Sequence, residues 1–265
     1  MKKLSVSIIT SFIILVSFFS TLTLASGDIN TNTTEGNHLF TSKFEGNGKF
    51  CTAVAINTTT YLTAAHCVDY KSKEGSIGKV YPALSGISTP LSEVNIGKAI
   101  VYEENQDSAQ VSQSKDLAIL KAAEPLPTSL EHYLKGRTPN ISGVLKDRTK
   151  QGEKSLIDKS VYSIGYSSSN GNNYSTKFEG KITDIYIDGH KGTDESTFNK
   201  SGLIKTDLHA SGGQSGSGLF LKDDDDNEQN DELIGILSSA SNDDKDAKFA
   251  LITSKVKEWI DKNKN

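Results

Sequence analysis

The sequence predicts an all-β protein, a barrel or sandwich, and three observations carry that expectation. Its apolar runs are short and separated by Gly, Asn and Ser turns, the mark of antiparallel sheets that close or pack face to face. About 240 of the 265 residues remain once an export segment is set aside, within the range of one such domain. Only one stretch, 254–261, has helical spacing, with Ile252, Val256, Trp259 and Ile260 on one face. A composition of 35% hydrophobic and 23% charged residues suits a folded chain rather than a disordered one.

The elements follow in chain order. Lys2 and Lys3 precede an apolar run over 8–19, and Thr23 and Ala25 place small residues before a cut near Ser26. This pattern reads as a secretory signal over 1–25. The run is broken by Ser11, Ser17 and Ser20 and is short for a membrane span, which needs about 20 apolar residues. No Cys follows the run to take a lipid, and no second apolar segment appears, so the mature chain is expected to be extracellular, soluble and monomeric. Residues 26–39 are polar and rich in Asn, Thr and Gly, and read as a mobile leader or short pro-segment with no packing face. Strands are expected over 51–56 and 61–65, joined by the turn-prone residues 57–60. Further strands are expected over 94–102, 117–121, 160–166, 177–187, 203–207, 218–222, 233–239 and 248–252. The region 125–159 holds Pro125, Pro127 and Pro139 and little alternation, which suits a connection between an N-terminal half over 40–124 and a C-terminal half over 160–265. The acidic run 223–232 lies between two strands and reads as a solvated hairpin tip. It lacks the Gly and alternating ligand spacing of an EF-hand calcium loop.

Charge and cysteine usage narrow the function. Loss of Lys2 and Lys3 with the signal takes the formal charge from −4 to −6, which disfavours nucleic acid or an anionic membrane as partner. Cys51 and Cys67 are the only cysteines. In an exported chain they form a bridge or remain as free thiols; a bridge would close a short loop and stabilise by about 3 kcal/mol. His66 is the only imidazole near them, and His132, His190 and His209 show no metal-ligand spacing. No phosphate-binding glycine loop opens a helix. No cofactor or metal is therefore expected.

Three motifs carry chemistry. Thr63-Ala64-Ala65-His66-Cys67 puts an imidazole at the end of a strand. Lys115-Asp116-Leu117-Ala118-Ile119-Leu120 puts a carboxylate just ahead of another. Gly212-Gly213-Gln214-Ser215-Gly216-Ser217-Gly218 puts a hydroxyl in a loop whose glycines allow unusual backbone angles. A serine hydroxyl needs an imidazole to accept its proton, and the imidazole needs a carboxylate to fix its tautomer and stabilise its charged form. Amides converging on a developing oxyanion contribute about 3–4 kcal/mol each. The chain order His, Asp, Ser differs from the orders of subtilisin and of the α/β-hydrolases.

On TAAHC, DLAIL and GQSGSG the chain resembles the chymotrypsin-like serine proteases over roughly 40–260. Asp207-Leu208, then Gly213-Gln214-Ser215-Gly216-Ser217, then Ile234-Gly235-Ile236 are similar to the bacterial glutamyl endopeptidase and exfoliative-toxin branch. The resemblance implies two antiparallel six-stranded β-barrels, a C-terminal helix and a site in the cleft between the barrels. It implies His66 as general base and then acid, Asp116 as its orienter and Ser215 as nucleophile. The N–H groups of Gly213 and Ser215 would form the oxyanion hole, and Ser238 would bond Asp116 from behind. Protein or peptide is the implied substrate.

The chain also departs from its relatives. Gln214 stands where animal enzymes carry the Asp that pairs with a freshly cut N-terminus, so that mode of activation is excluded. Ala210 and Leu237 stand where glutamyl endopeptidases place Thr and His donors for the substrate carboxylate. Glutamate is therefore not the expected preference. His209 would lie at the pocket floor, binding an acid if protonated or packing beside Leu208; Ser238 and Ser239 complete the expected pocket. Two other outcomes on the same fold are a narrow-specificity, toxin-like protease and a catalytically silent secreted binding protein.

Overall fold

The computed structural model describes residues 27–87, 91, 93–104, 112–123, 127–141, 143, 156–187, 190–191, 201–223, 227–228, 230–241 and 246–265. The signal-like segment 1–25, most of 142–155 and part of the acidic run lie outside them.

Two closed antiparallel barrels make up the fold. The first is built from β2 (Thr41–Gly46), β3 (Lys49–Ala55), β4 (Thr60–Thr63), β5 (Lys73–Pro82), β6 (Val94–Val101) and β7 (Ala118–Ala122), closed in the order β2-β3-β4-β7-β6-β5. By register, Phe44, Ala53, Tyr61, Val80, Ile96 and Leu120 share one face of this sheet, and each is almost fully buried, as a closed strand pattern with period two demands. The second barrel uses β8 (Ser160–Tyr166), β9 (Ser175–Ile187), β11 (Gly202–Thr206), β12 (Gly218–Leu221), β13 (Glu232–Ala240) and β14 (Ala247–Leu251). Their order is β9-β11-β14-β13-β12-β8, and β8 pairs back with β9 to close the ring. The helix α2 (Ser254–Asn263) is capped by the Thr253 hydroxyl, which accepts from the Val256 N–H, and buries Val256 and Ile260. With Trp259 packed edge-on to Tyr102 of the first barrel at 5.2 Å, α2 ties the second barrel back to the first.

The strands β2 and β5 are not expected from the sequence, and three more elements also differ from that expectation. Residues 28–30, expected to lack a packing face, form the strand β1 (Asp28–Asn30), which pairs with β9 in register Ile29↔Thr176. The chain then stays anchored: Thr33 and Asn37 are each 1% exposed, the Asn37 amide donates to the Tyr162 hydroxyl at 2.7 Å, and His38 Nδ1 lies 2.7 Å from Ser175 Oγ. A polar segment packs here because its side-chain amide and imidazole find buried partners, which periodicity does not register. The connection after the first barrel contains a short helix, α1 (Thr128–Leu134), which buries Leu130 and Leu134. A two-residue strand, β10 (His190–Lys191), pairs antiparallel with the end of β9.

At the acidic connection between β12 and β13, Asp231 is 5% exposed. It accepts from the Tyr162 hydroxyl and the Asp223 N–H, both at 2.7 Å, and so fixes the base of the hairpin.

Candidate active site

His66 and Asp116 meet because of strand register. β4 pairs antiparallel with β7, with Thr63 opposite Ala118. The segment leaving β4 and the segment entering β7 therefore emerge side by side at one end of the barrel. The first winds into a single 3-10 turn, Ala65–Val68. Asp116 Oδ1 accepts the His66 backbone N–H at 2.9 Å, and Oδ2 lies 2.7 Å from His66 Nδ1. Asp116 is 2% exposed. A buried carboxylate at Nδ1 holds the proton on that nitrogen and leaves Nε2 as the acceptor. The ring keeps 27% of its side-chain surface open. From the second barrel, the Ser238 hydroxyl donates to Asp116 Oδ2 at 2.6 Å. Tyr70 stands 6.3 Å from the imidazole, ring centre to ring centre. Burial first, and the Asp116 charge second, push its phenol up to about 12, so it stays neutral.

The half-buried Ser215 lies in a loop whose carbonyls from Ser211 to Ser215 are all engaged. The Ser211 carbonyl accepts from Gln214 N–H at 3.2 Å, Gly212 from Ser168 N–H at 2.7 Å, Gln214 from Ser217 N–H at 2.9 Å and Ser215 from Thr52 N–H at 2.7 Å. The Gly213 carbonyl accepts from the Thr52 hydroxyl at 3.0 Å. By contrast, the N–H groups of Gly213 and Ser215 have no acceptor among the described residues. The Ser211–Gln214 turn has φ +88° at Gly213, a type II signature that calls for glycine at that position. Gly216 is equally constrained: at φ +87°, a Cβ there would lie 2.1 Å from the Thr52 carbonyl oxygen. The Gln214 side chain turns back into its own loop and accepts the Ser211 N–H at 2.7 Å.

This loop sits against the segment that carries His66. Cys51 and Cys67 are joined by a disulfide, and Cys67 Sγ lies 3.9 Å from the Ser215 carbonyl oxygen. Because both sulfurs are covalently paired, the cluster Cys51, His66 and Cys67 offers one imidazole rather than a metal-ligand set.

Of the residues expected to line a substrate pocket, Ala210 and Leu237 are each 3% exposed and belong to the apolar cluster that includes Leu208, Leu219 and Phe249. His209 is half-exposed and has no hydrogen bond among the described residues. The Ser239 hydroxyl accepts from the Gln113 amide at 2.9 Å, tying the Asp116 approach to β13. Sequence reasoning missed Gln113, Thr52 and the loop Ser167–Asn172. No motif marks them, and their bonds span long separations, 161 residues for Thr52 to Gly213.

The family model described as Trypsin matches residues 28–260. No curated protein sequence matches the chain. Among solved structures, a Glu endopeptidase bound to MPD aligns with TM-score 0.65 at 17% identity, over 90% of this chain and 96% of that one. The protease Anisep from Arthrobacter nicotinovorans aligns with TM-score 0.60 at 13% identity, over 88% and 97%. The thermostable serine protease AL20 from an extremophilic microorganism aligns with TM-score 0.60 at 14% identity, over 85% and 95%. The two-barrel fold and the family match over most of its length agree: this chain belongs to the trypsin family of serine proteases.

Proposed function

We propose that this protein is an exported serine endopeptidase whose triad is His66, Asp116 and Ser215. The observation that carries the reading is the Asp116 carboxylate, buried and bonded to His66 Nδ1 beside a serine loop with two uncommitted amides. Ser215 Oγ attacks the peptide carbonyl carbon and passes its proton to His66 Nε2. The carbonyl oxygen becomes an anion facing the Gly213 and Ser215 N–H groups, where each donor contributes about 3–4 kcal/mol. His66 returns the proton to the leaving amine as the C–N bond breaks, giving an acyl-enzyme. Water, deprotonated by His66, then attacks the ester and Ser215 recovers its proton.

The anchored segment from Asp28 supports a mature chain that keeps β1 as part of its fold, because β1 and His38 pack on β9. Gln214 caps its own loop, which supports activity without an N-terminal ion pair. Ala210 and Leu237 offer neither charge nor side-chain donor, and an unpaired buried carboxylate costs several kcal/mol. Glutamate is therefore not the preferred residue before the cut.

A serine-directed fluorophosphonate tests the reading. Stoichiometric labelling at Ser215, abolished in His66→Ala, is the expected result. A folded protein that stays unlabelled would overturn it. A fluorogenic peptide library cut best after Glu would overturn the specificity assignment alone.

A further inference from the structure

We propose that Thr52 is a positioning residue of the reaction: its hydroxyl, reaching from the first barrel, holds the Ser215 loop in the one arrangement that leaves the Gly213 and Ser215 amides free. The inference rests on the reading of Ser215 as nucleophile.

Thr52 is wholly buried in β3, directly after Cys51. All of its polar atoms are engaged. Its N–H donates to the Ser215 carbonyl at 2.7 Å, and its carbonyl accepts the Thr63 hydroxyl at 2.8 Å. Its own hydroxyl donates to the Gly213 carbonyl at 3.0 Å and accepts the Tyr166 N–H at 3.0 Å. A hydroxyl has one proton. With Tyr166 N–H supplying the incoming bond, that proton has one destination, the Gly213 carbonyl.

Peptide planes explain why this bond matters. In a trans peptide the carbonyl and the following N–H point in opposite directions. The direction of the Gly213 N–H is therefore set by whatever holds the Gly212 carbonyl, which is the Ser168 N–H. The next plane, Gly213 to Gln214, is set by Thr52. Glycine at φ +88° between these planes has little steric resistance to rotation. Rotation of either plane would swing a carbonyl oxygen toward the place where negative charge develops, or turn the Gly213 donor away from it. The two external clamps prevent this, one from the turn after β8 and one across the barrel interface. Thr52 touches no reacting atom; it acts through the loop.

The test compares Thr52→Val, which keeps the shape and removes the hydroxyl, with Thr52→Ala and Thr52→Ser. Each is assayed for the p-nitrophenyl acetate burst, for fluorophosphonate labelling at Ser215 and for melting temperature. Thr52→Val is expected to fold and to lose about 10- to 100-fold in acylation rate, less than outright removal of an oxyanion donor. Its KM should stay within about 3-fold of the parent, the mark of an interaction used in the transition state rather than in binding. Thr52→Ser restores the rate. A folded Thr52→Val that acylates at the parent rate, or that changes KM alone, overturns the proposal. If Thr52→Val does not fold, Ser against Ala decides, and equal rates for the two overturn it. A folded parent protein that neither labels nor turns over sinks the triad reading, and this proposal with it.

Discussion

Acid should loosen this fold through one histidine. His38 is 5% exposed, with Nδ1 2.7 Å from Ser175 Oγ. Its pKa falls from 6.5 to about 4, chiefly because burial penalises the imidazolium; the Lys177 ammonium lowers it further and Glu228 partly opposes both. The unfolded chain therefore binds a proton that the folded chain refuses between those two values. Stability is complete above about pH 6.5, falls as pH drops toward 4, and levels off below that, where both states are protonated. A lowering of that size corresponds to roughly 3 kcal/mol, a large fraction of a domain's net stability. The assay is urea unfolding at pH 7.5 and 4.5, read by tryptophan fluorescence in a Ser215→Ala background to prevent self-digestion. Carboxylates titrate over the same range, so the informative quantity is the difference between this protein and its His38→Asn variant. The variant should lose about 2 to 3 kcal/mol less on acidification. Equal losses in the two proteins would refute the argument and place the acid sensitivity elsewhere.

Three further outcomes follow from the site. Ser238→Ala removes the 2.6 Å bond to Asp116 Oδ2 while two His66 donors remain; kcat should fall about 10-fold, since a hydrogen bond to a charged group is worth about 1.5–3 kcal/mol, and an unchanged kcat would refute this. Gly216→Ala forces a methyl to within 2.1 Å of the Thr52 carbonyl oxygen at positive φ, so labelling at Ser215 should be lost together with about 2 kcal/mol or more of stability, as judged by thermal unfolding. Replacing both Cys51 and Cys67 by Ala opens a link spanning 16 positions. The cost should be about 3 kcal/mol, a fall of roughly 6–12 °C in melting temperature for a domain of this size, with Ser215 labelling at 25 °C retained; a folded double variant that fails to label would contradict this.

Strands were legible where apolar residues alternate or cluster, as in β3, β8 and β13. They were not where glycine and charge dominate. β5, Lys-Glu-Gly-Ser-Ile-Gly-Lys-Val-Tyr-Pro, has its register shifted between Glu74 and Gly78, and a bulge breaks the period-two pattern on which strand assignment depends. β2 carries a charged residue, Lys43, that is nevertheless 6% exposed. Its ammonium pairs with Glu45, donates to Asn173 and lies 4.8 Å from the centre of the Phe50 ring, so tertiary partners made burial possible. β1 and the turn holding His38 leave no mark in the apolar spacing, because their contacts are hydrogen bonds to distant residues.

The sequence by itself determined the all-β class, the two-barrel resemblance and the three short motifs around His66, Asp116 and Ser215. Each of these depends on neighbours within a few positions: alternation makes a strand, and glycines beside a serine make a strained loop. Only the tertiary structure decided what surrounds those motifs. Asp116 lies 50 positions from His66 and 122 from Ser238, and Thr52 lies 161 from Gly213. Barrel closure brings such residues together, and no local pattern encodes which hydroxyl or amide will stand opposite a given carbonyl once two barrels pack.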